Sequence, residues 1–113
     1  MTIEEAIAFA DEAEPNTYSD SIKLHYINEL EGKIQLEVML LSPGDMASHT
    51  ATTETLLVSS PYDDIYPLYL TAHIQFLMGE YDRYQNTQAM FNRKYEEYSA
   101  YYAWVNRPLF PIS

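Results

Sequence analysis

The sequence has 113 residues, enough for one domain with one hydrophobic core, and it has no cysteine, which excludes disulfides, thiolate metal sites and a cysteine nucleophile. Its net charge of −11 argues against non-specific DNA or RNA binding, because such binding needs basic side chains that displace the counterions of the phosphates. Acids stand where a signal peptide would carry bases, and no long apolar stretch follows, so we expect a cytosolic protein without a membrane span.

The first predicted helix covers residues 2–13. Thr2 and Glu5 form a capping box, in which each side chain accepts a hydrogen bond from the backbone of the other residue. Pro15 ends the helix, because the residue before a proline disfavours the helical conformation. Apolar residues at helical spacing mark the face that we expect to be buried. They are Ile3, Ala6, Ile7 and Ala10.

The second predicted helix begins near Ser19 and runs to about Leu41, where Ser42-Pro43-Gly44 stops it. Its apolar residues recur mostly every four positions, which indicates a face that packs on the core. That face contains Ile22, Tyr26, Ile27, Leu30, Ile34, Val38 and Leu41. The charged residues expected mostly away from it are Lys23, Glu31, Lys33 and Glu37.

Residues 45–59 are rich in serine and threonine and poor in large apolar side chains, so they are predicted to form a long loop, with room for a short strand at 55–58. The loop is either a flexible surface segment or a contact for a partner. The third helix is predicted to start with Ser60 as N-cap and Pro61 in its first turn, and to end at Gly79. Its apolar face contains Ile65, Leu68, Tyr69, Ala72 and Phe76.

Residues 80–84 are predicted to be a short link, and Asn86 is predicted to cap a fourth helix that ends near Val105. Tyr101, Tyr102 and Trp104 exceed what one packing seam can hide, so we expect one or two of them to contact a partner or a neighbouring subunit. The seam itself contains Phe91, Tyr95, Tyr98, Tyr102 and Val105.

These elements predict a mostly α-helical fold: a small bundle of about four helices, in a single domain over residues 1–113, with the long loop between helices two and three. Residues 106–113 contain two prolines and three large apolar side chains, which predicts an extended C-terminal tail that either docks elsewhere or frays. The core is expected between helices two, three and four. Its predicted members are Ile27, Leu30, Ile34, Val38, Ile65, Leu68, Ala72, Phe76, Phe91, Tyr95 and Tyr98.

No residue pattern in the sequence indicates catalysis, so we expect neither an enzyme nor a cofactor. His25, His49 and His73 lie far apart and lack metal-ligand spacing, and His25 and His73 are expected to be partly buried structural residues. Eleven tyrosines raise the aromatic content to 14%. Tyrosine suits both a core and a surface that becomes buried on assembly, so both interpretations of this content stay open.

Several stretches are distinctive when taken in order: Thr2-Ile-Glu-Glu-Ala-Ile-Ala-Phe-Ala-Asp11, Pro15-Asn-Thr-Tyr-Ser-Asp20, Ile27-Asn-Glu-Leu-Glu-Gly32, Ser60-Pro-Tyr-Asp-Asp-Ile-Tyr66, Gly79-Glu-Tyr81, Met90-Phe-Asn92 and Tyr101-Tyr102. Together they resemble the small head-tail connector proteins of long-tailed phages and prophages, which are also called adaptor or head-completion proteins. None is a catalytic signature, and the specificity lies in their combination. They cover most of the chain apart from residues 42–58.

The resemblance implies a subunit that assembles in the host cytoplasm into a ring of about twelve copies under the portal protein, at the head-tail junction of the virion. Such a ring extends the DNA channel and receives a tail-side completion protein, and DNA passes through it without specific binding. Loops and C-terminal tails make many of the contacts in this family. The interface is therefore expected to include Tyr101, Tyr102, Trp104, Arg107, Leu109, Phe110 and Ile112.

The acidic surface fits a channel that DNA crosses without adhering, and it equally fits simple solubility. An alternative function is an acidic regulatory or inhibitory binding protein that mimics DNA. Its acids should line one face at roughly phosphate spacing, whereas the acids here are spread over all the predicted helices. A small enzyme is a third hypothesis, which no visible nucleophile–base pair or metal site supports.

Overall fold

The computed structural model describes residues 1–108, and within that range the chain is mostly α-helical, as the sequence predicted, and has no strand. The helices are α1 (Ile3–Ala13), α2 (Asp20–Lys33), α3 (Ile65–Leu77) and α4 (Tyr81–Val105). A π-helical turn (Ile34–Val38) extends α2, and a short 3-10 turn (Pro43–Asp45) lies at the start of the long loop between α2 and α3. No helix among the described residues has the length and hydrophobicity that a membrane crossing requires.

Helix α1 has the predicted capping box. The Glu5 N–H donates to the Thr2 hydroxyl at 3.2 Å, and the Thr2 N–H donates to the Glu5 carboxylate at 2.9 Å. The predicted face of α1 is buried throughout, and it packs mainly against α3. The core therefore includes α1, whereas the sequence placed it between the other three helices only.

Helix α2 differs from its prediction at its end and in its buried face. The helical segment ends at Val38, because the backbone φ of Leu40 is +56° and turns the chain away, and Leu41 and Ile22 are exposed. Lys23 and Glu31 were predicted mostly off the buried face, yet both are buried. Each has polar partners that compensate its loss of water, and for Lys23 the partner is a carboxylate oxygen of Asp11 at 2.8 Å.

Helix α3 begins later than predicted. Ser60 does not cap it, and turns occupy residues 60–64, where the Tyr62 N–H donates to the Ser59 carbonyl at 3.0 Å. A tertiary contact holds these turns, because the N-terminal amino group of Met1 donates to the Asp63 carboxylate at 3.3 Å. The helix ends near Gly79, as predicted, where a φ of +78° suits glycine.

The buried face of α3 is wider than its predicted stripe because α1, α2 and α4 all pack against the helix. Phe76 was predicted in the core but is exposed, since it lies in the last turn beside Gly79. Leu68 is only partly buried. Tyr69 was on the predicted face and is buried, and the core members that this face omitted are Tyr66, Leu70 and Ile74.

Helix α4 starts at Tyr81, so the predicted link at 80–84 is wrong and Asn86 lies inside the helix. The turn at Gly79 is tight enough to reverse the chain without a longer link, and α3 and α4 pack side by side. Of the predicted seam, Phe91 and Tyr98 are buried, Tyr95 and Tyr102 are partly buried, and Val105 is exposed.

The predicted short strand at 55–58 is a single bridge between Thr55 and Thr2. Pairing stops there because the next groups bond elsewhere: the Leu57 N–H donates to Glu31 at 3.1 Å, and the Val58 N–H donates to Tyr66. Leu56 and Val58 are buried, so the loop contributes to the core.

Candidate assembly interface

The residues predicted to contact a partner lie at the end of α4. Trp104 is 64% exposed, and the guanidinium carbon of Arg107 lies 3.7 Å from the centroid of its ring. Arg107 also donates to the Trp104 carbonyl at 2.7 Å, so the cation is held over the aromatic face. Leu109, Phe110 and Ile112 lie outside the described residues.

Tyr101 and Tyr102, the other predicted contacts, have different surroundings. Tyr101 is 46% exposed, and its ring stacks on Tyr62 with 4.8 Å between the centroids. Tyr102 is partly buried against the core, with its ring 6.1 Å from Tyr98. Tyr101 therefore lies close to the 60–64 turns, whereas Tyr102 packs against the core.

Four tyrosines line a groove of about 210 Å³ between the 60–64 turns and α4, which we call the tyrosine groove. Tyr62 comes from the turns, and Tyr98, Tyr101 and Tyr102 come from the helix. The remaining lining residues are Leu57, Ser59, Ser60 and Pro61. Burial raises the pKa of Tyr98, so its hydroxyl stays protonated.

Exposed apolar side chains lie around the end of α4, and we call Leu40, Tyr101, Trp104 and Val105 together the C-terminal surface. Leu40 is 78% exposed. It lines a second groove, of about 380 Å³, together with Ala103, Arg107 and Pro108. The sequence predicted Tyr101 and Trp104 as contacts, but it placed Val105 in the packing seam. It also placed Leu40 in the last turn of a helix that in fact ends at Val38.

A second apolar surface lies at the turn between α3 and α4, and we call Phe76, Leu77, Met78 and Tyr81 the turn surface. All of them are exposed, and the Phe76 and Tyr81 rings meet edge to face at 5.6 Å. Leu77 and Ile22 border a neighbouring groove of about 440 Å³. The sequence analysis missed this surface, although three consecutive apolar residues at 76–78 signal it, because one helix face cannot bury all three.

The two surfaces lie at opposite ends of one rigid element. Helix α4 has 25 residues, and Tyr81 and Trp104 are near its two ends. A helix rises about 1.5 Å per residue, so these residues are roughly 35 Å apart along its axis. The two surfaces are therefore separate patches on the same helix.

A third apolar groove, of about 380 Å³, lies where α1, α3 and α4 meet. Phe9 is 54% exposed there, and Met90 faces the same groove. Lys94 and Asp64 line it too, with 3.5 Å between their charged atoms. This groove provides a further apolar contact area. Phe9, which lines it, was not on the predicted apolar face of α1.

Polar side chains tie the long loop to the helices, and Glu31 of α2 is at their centre. Its buried carboxylate accepts from the Tyr66 hydroxyl and from the Leu57 N–H, and it lies 2.9 Å from Nε2 of His49. The other ring nitrogen of His49 lies 3.2 Å from the Glu54 carboxylate. We call Glu31, His49, Glu54 and Tyr66 the loop clamp.

Both ring nitrogens of His49 face carboxylates, so both need a proton to donate. Partial burial opposes the charged ring, but the hydrogen bonds to Glu31 and Glu54 outweigh it and raise the pKa of His49 above 6.5. Backbone N–H groups of Ala51 and Thr50, together with His49, lower the pKa of Glu54 to about 2. The clamp thus favours a charged His49 between two carboxylates.

Of the two histidines predicted to be partly buried, only His73 is. Its Nδ1 lies 2.9 Å from the Tyr69 carbonyl, whereas His25 is exposed on the outer side of α2. Among residues 1–108, no three His, Asp or Glu side chains are grouped as a metal site would need. No known protein family, curated protein or solved structure matches the chain.

Proposed function

We propose that the protein is a structural subunit of a phage head-tail connector ring, which docks under the portal, extends the DNA channel and joins head to tail. The observation that carries the proposal is the pair of apolar surfaces at opposite ends of α4. A closed ring requires each subunit to present two different patches, one to each neighbour, whereas a simple dimer needs only one self-complementary patch. The proposal that this ring is a head-tail connector comes from the sequence resemblance.

The charge of the chain supports the same function. With 17 acidic and 6 basic residues, the subunit repels a phosphate backbone at moderate range. A ring of such subunits would let DNA pass without retaining it. Repulsion between copies would also keep them apart until a template, the portal, brings them together. The proposed places of action are the host cytoplasm during assembly and the head-tail junction of the virion.

The proposal is tested by sedimentation velocity of the full chain over a wide concentration range, alone and with the portal protein of the same phage. We expect closed rings of about twelve copies, visible by electron microscopy. Trp104→Ala should shift the distribution towards monomer, because it removes an exposed aromatic side chain from the C-terminal surface. Gln85→Ala, an exposed polar position on α4, is the matched control and should assemble normally.

A protein that stays monomeric under all these conditions, with the portal included, would contradict the proposal. If that monomer instead captured a DNA-binding enzyme and was displaced by DNA, the acidic DNA-mimic function would replace it.

A further inference from the structure

The tyrosine groove has the chemistry of a site for a proline-rich segment. Its wall is made of aromatic rings, with Tyr62 and Tyr101 stacked at 28° between their planes, and no charged side chain lines it. Proline rings pack flat against aromatic faces, and tyrosine hydroxyls at the edges donate to the exposed carbonyls of an extended chain. Recognition of polyproline II segments uses this combination in other aromatic-lined grooves.

The chain carries one segment that matches such a groove. It reads Arg107-Pro-Leu-Phe-Pro111, and it is the only place in the sequence where two prolines are three residues apart. A polyproline II helix has three residues per turn, so both prolines would lie on the same side. Arg107 adds a positive charge to this segment in a chain whose net charge is −11, which favours its approach to another copy.

In its own chain, Pro108, the described start of the segment, lies in a different groove. Pro108 lies against residues 38–40, in the groove on the other side of Tyr102. From there to Pro111 a polyproline II segment advances only about 9 Å. Pro108 is not among the residues that line the tyrosine groove, so the described start of the segment does not occupy it.

We propose that the tyrosine groove binds residues 108–111 of a second copy of the chain in the polyproline II conformation. Each copy then donates one segment and accepts another, which is a contact between two different surfaces and can close into a ring. The inference rests on the part of the proposed function that concerns association between copies, and it needs only two copies, whatever their final assembly.

A fluorescently labelled peptide of residues 106–113 tests the proposal by anisotropy. It is titrated with the full chain carrying Pro108→Ala and Pro111→Ala, so that the chain's own segment does not compete. We expect saturable binding, and at least about tenfold weaker binding of a peptide with both prolines replaced by alanine. That control keeps Leu109 and Phe110, so it separates proline recognition from general apolar attraction.

Variants of the protein locate the site. In the same double-proline background, Tyr101→Ala should weaken peptide binding at least about tenfold. Tyr81→Ala, which replaces another exposed tyrosine at the far end of α4, should change peptide binding by less than about twofold. Circular dichroism checks that both variants fold. A photoreactive benzophenone in place of Phe110 gives an independent readout, and its cross-links should map to residues 57–62 or 98–102.

Three results would each overturn the proposal: no peptide binding, equal binding of the proline-free peptide, or binding that Tyr101→Ala leaves intact while the cross-links map elsewhere. If the peptide does not bind but the full chain still forms rings, the proposed function stands and only this contact is refuted. If the peptide binds but no ring forms, the contact stands without the ring.

Discussion

The loop between α2 and α3 and the helix α4 combine regularity and burial in opposite ways. The loop has almost no regular structure, yet Leu56 and Val58 are buried and a network of polar side chains ties it to α2 and α3. Helix α4 is a regular helix of 25 residues, yet only Phe91 and Tyr98 are buried. Regular secondary structure therefore does not identify the part of this chain that holds the fold together.

The difference follows from where each segment satisfies its backbone groups. A helix satisfies them internally, so α4 can leave its side chains free for contacts with other molecules. A loop satisfies fewer of them internally, so much of its backbone must bond to groups around it. Asn28 and Gln35 do this at 2.7–2.9 Å from the backbone of His49 and Ala47. We expect the loop to behave as core and the ends of α4 to behave as interface.

The largest effect should separate the buried middle of α4 from its end. Phe91→Ala removes a ring that packs against Tyr69 and Tyr95, and it should lower the free energy of unfolding by about 3–5 kcal/mol. Trp104→Ala removes a larger ring that is 64% exposed, and it should change stability by less than about 0.5 kcal/mol. Urea unfolding followed by circular dichroism measures both. Equal losses would refute the view that the end of α4 is free of the fold.

The next effect concerns the loop clamp. Glu31→Gln keeps the shape of the side chain but places an amide N–H₂ where one of three donors now meets a carboxylate oxygen. A buried donor left without an acceptor costs about 1–3 kcal/mol, so stability should fall by that amount. Glu97→Gln, at an exposed position of α4, is the matched control and should lower the free energy of unfolding by less than about 0.5 kcal/mol. If Glu31→Gln left the free energy of unfolding unchanged, the loop clamp would not stabilise the fold.

The sequence predicted the fold class, the cap of α1 and its buried face because these depend on local spacing and local hydrogen bonds. Thr2 and Glu5 bond within one turn, so their pattern was sufficient. The loop clamp was not predictable in that way, because Glu31 and Tyr66 are 35 positions apart and meet only in the folded chain. Nothing in the local pattern indicated that Glu31, a charged residue, would be among the most buried.

The candidate interface was predicted only where apolar residues crowd one helix. Tyr101 and Trp104 stood out because a single seam cannot bury them, and both are exposed. The turn surface was missed because the helix prediction placed a link at 80–84 and so gave Tyr81 no helix face. The tyrosine groove needed Tyr62, which the sequence assigned to the first turn of a helix that begins only at Ile65.

The smallest expected effect is a pH dependence of stability that arises from His49 in the loop. The pKa of His49 is raised in the folded protein, so its charged ring stabilises the fold fully below about 6.5, the value in the unfolded chain. That contribution is lost as the pH rises through the raised pKa, because neutral His49 leaves one of its two carboxylate partners, Glu31 or Glu54, facing a ring nitrogen without a proton.

Urea unfolding from about pH 5.5 to about pH 8.5 should therefore show wild-type stability falling across the range, and His49→Gln should remove most of the fall. His25→Gln, at an exposed position of α2 with no carboxylate within salt-bridge distance among the described residues, is the matched control and should leave the slope unchanged. The clamp would not depend on a charged His49 if the slope survived His49→Gln or reversed its sign. A slope lost only in His49→Gln would assign this pH dependence to the loop, since His49 is the one histidine that ties it to α2.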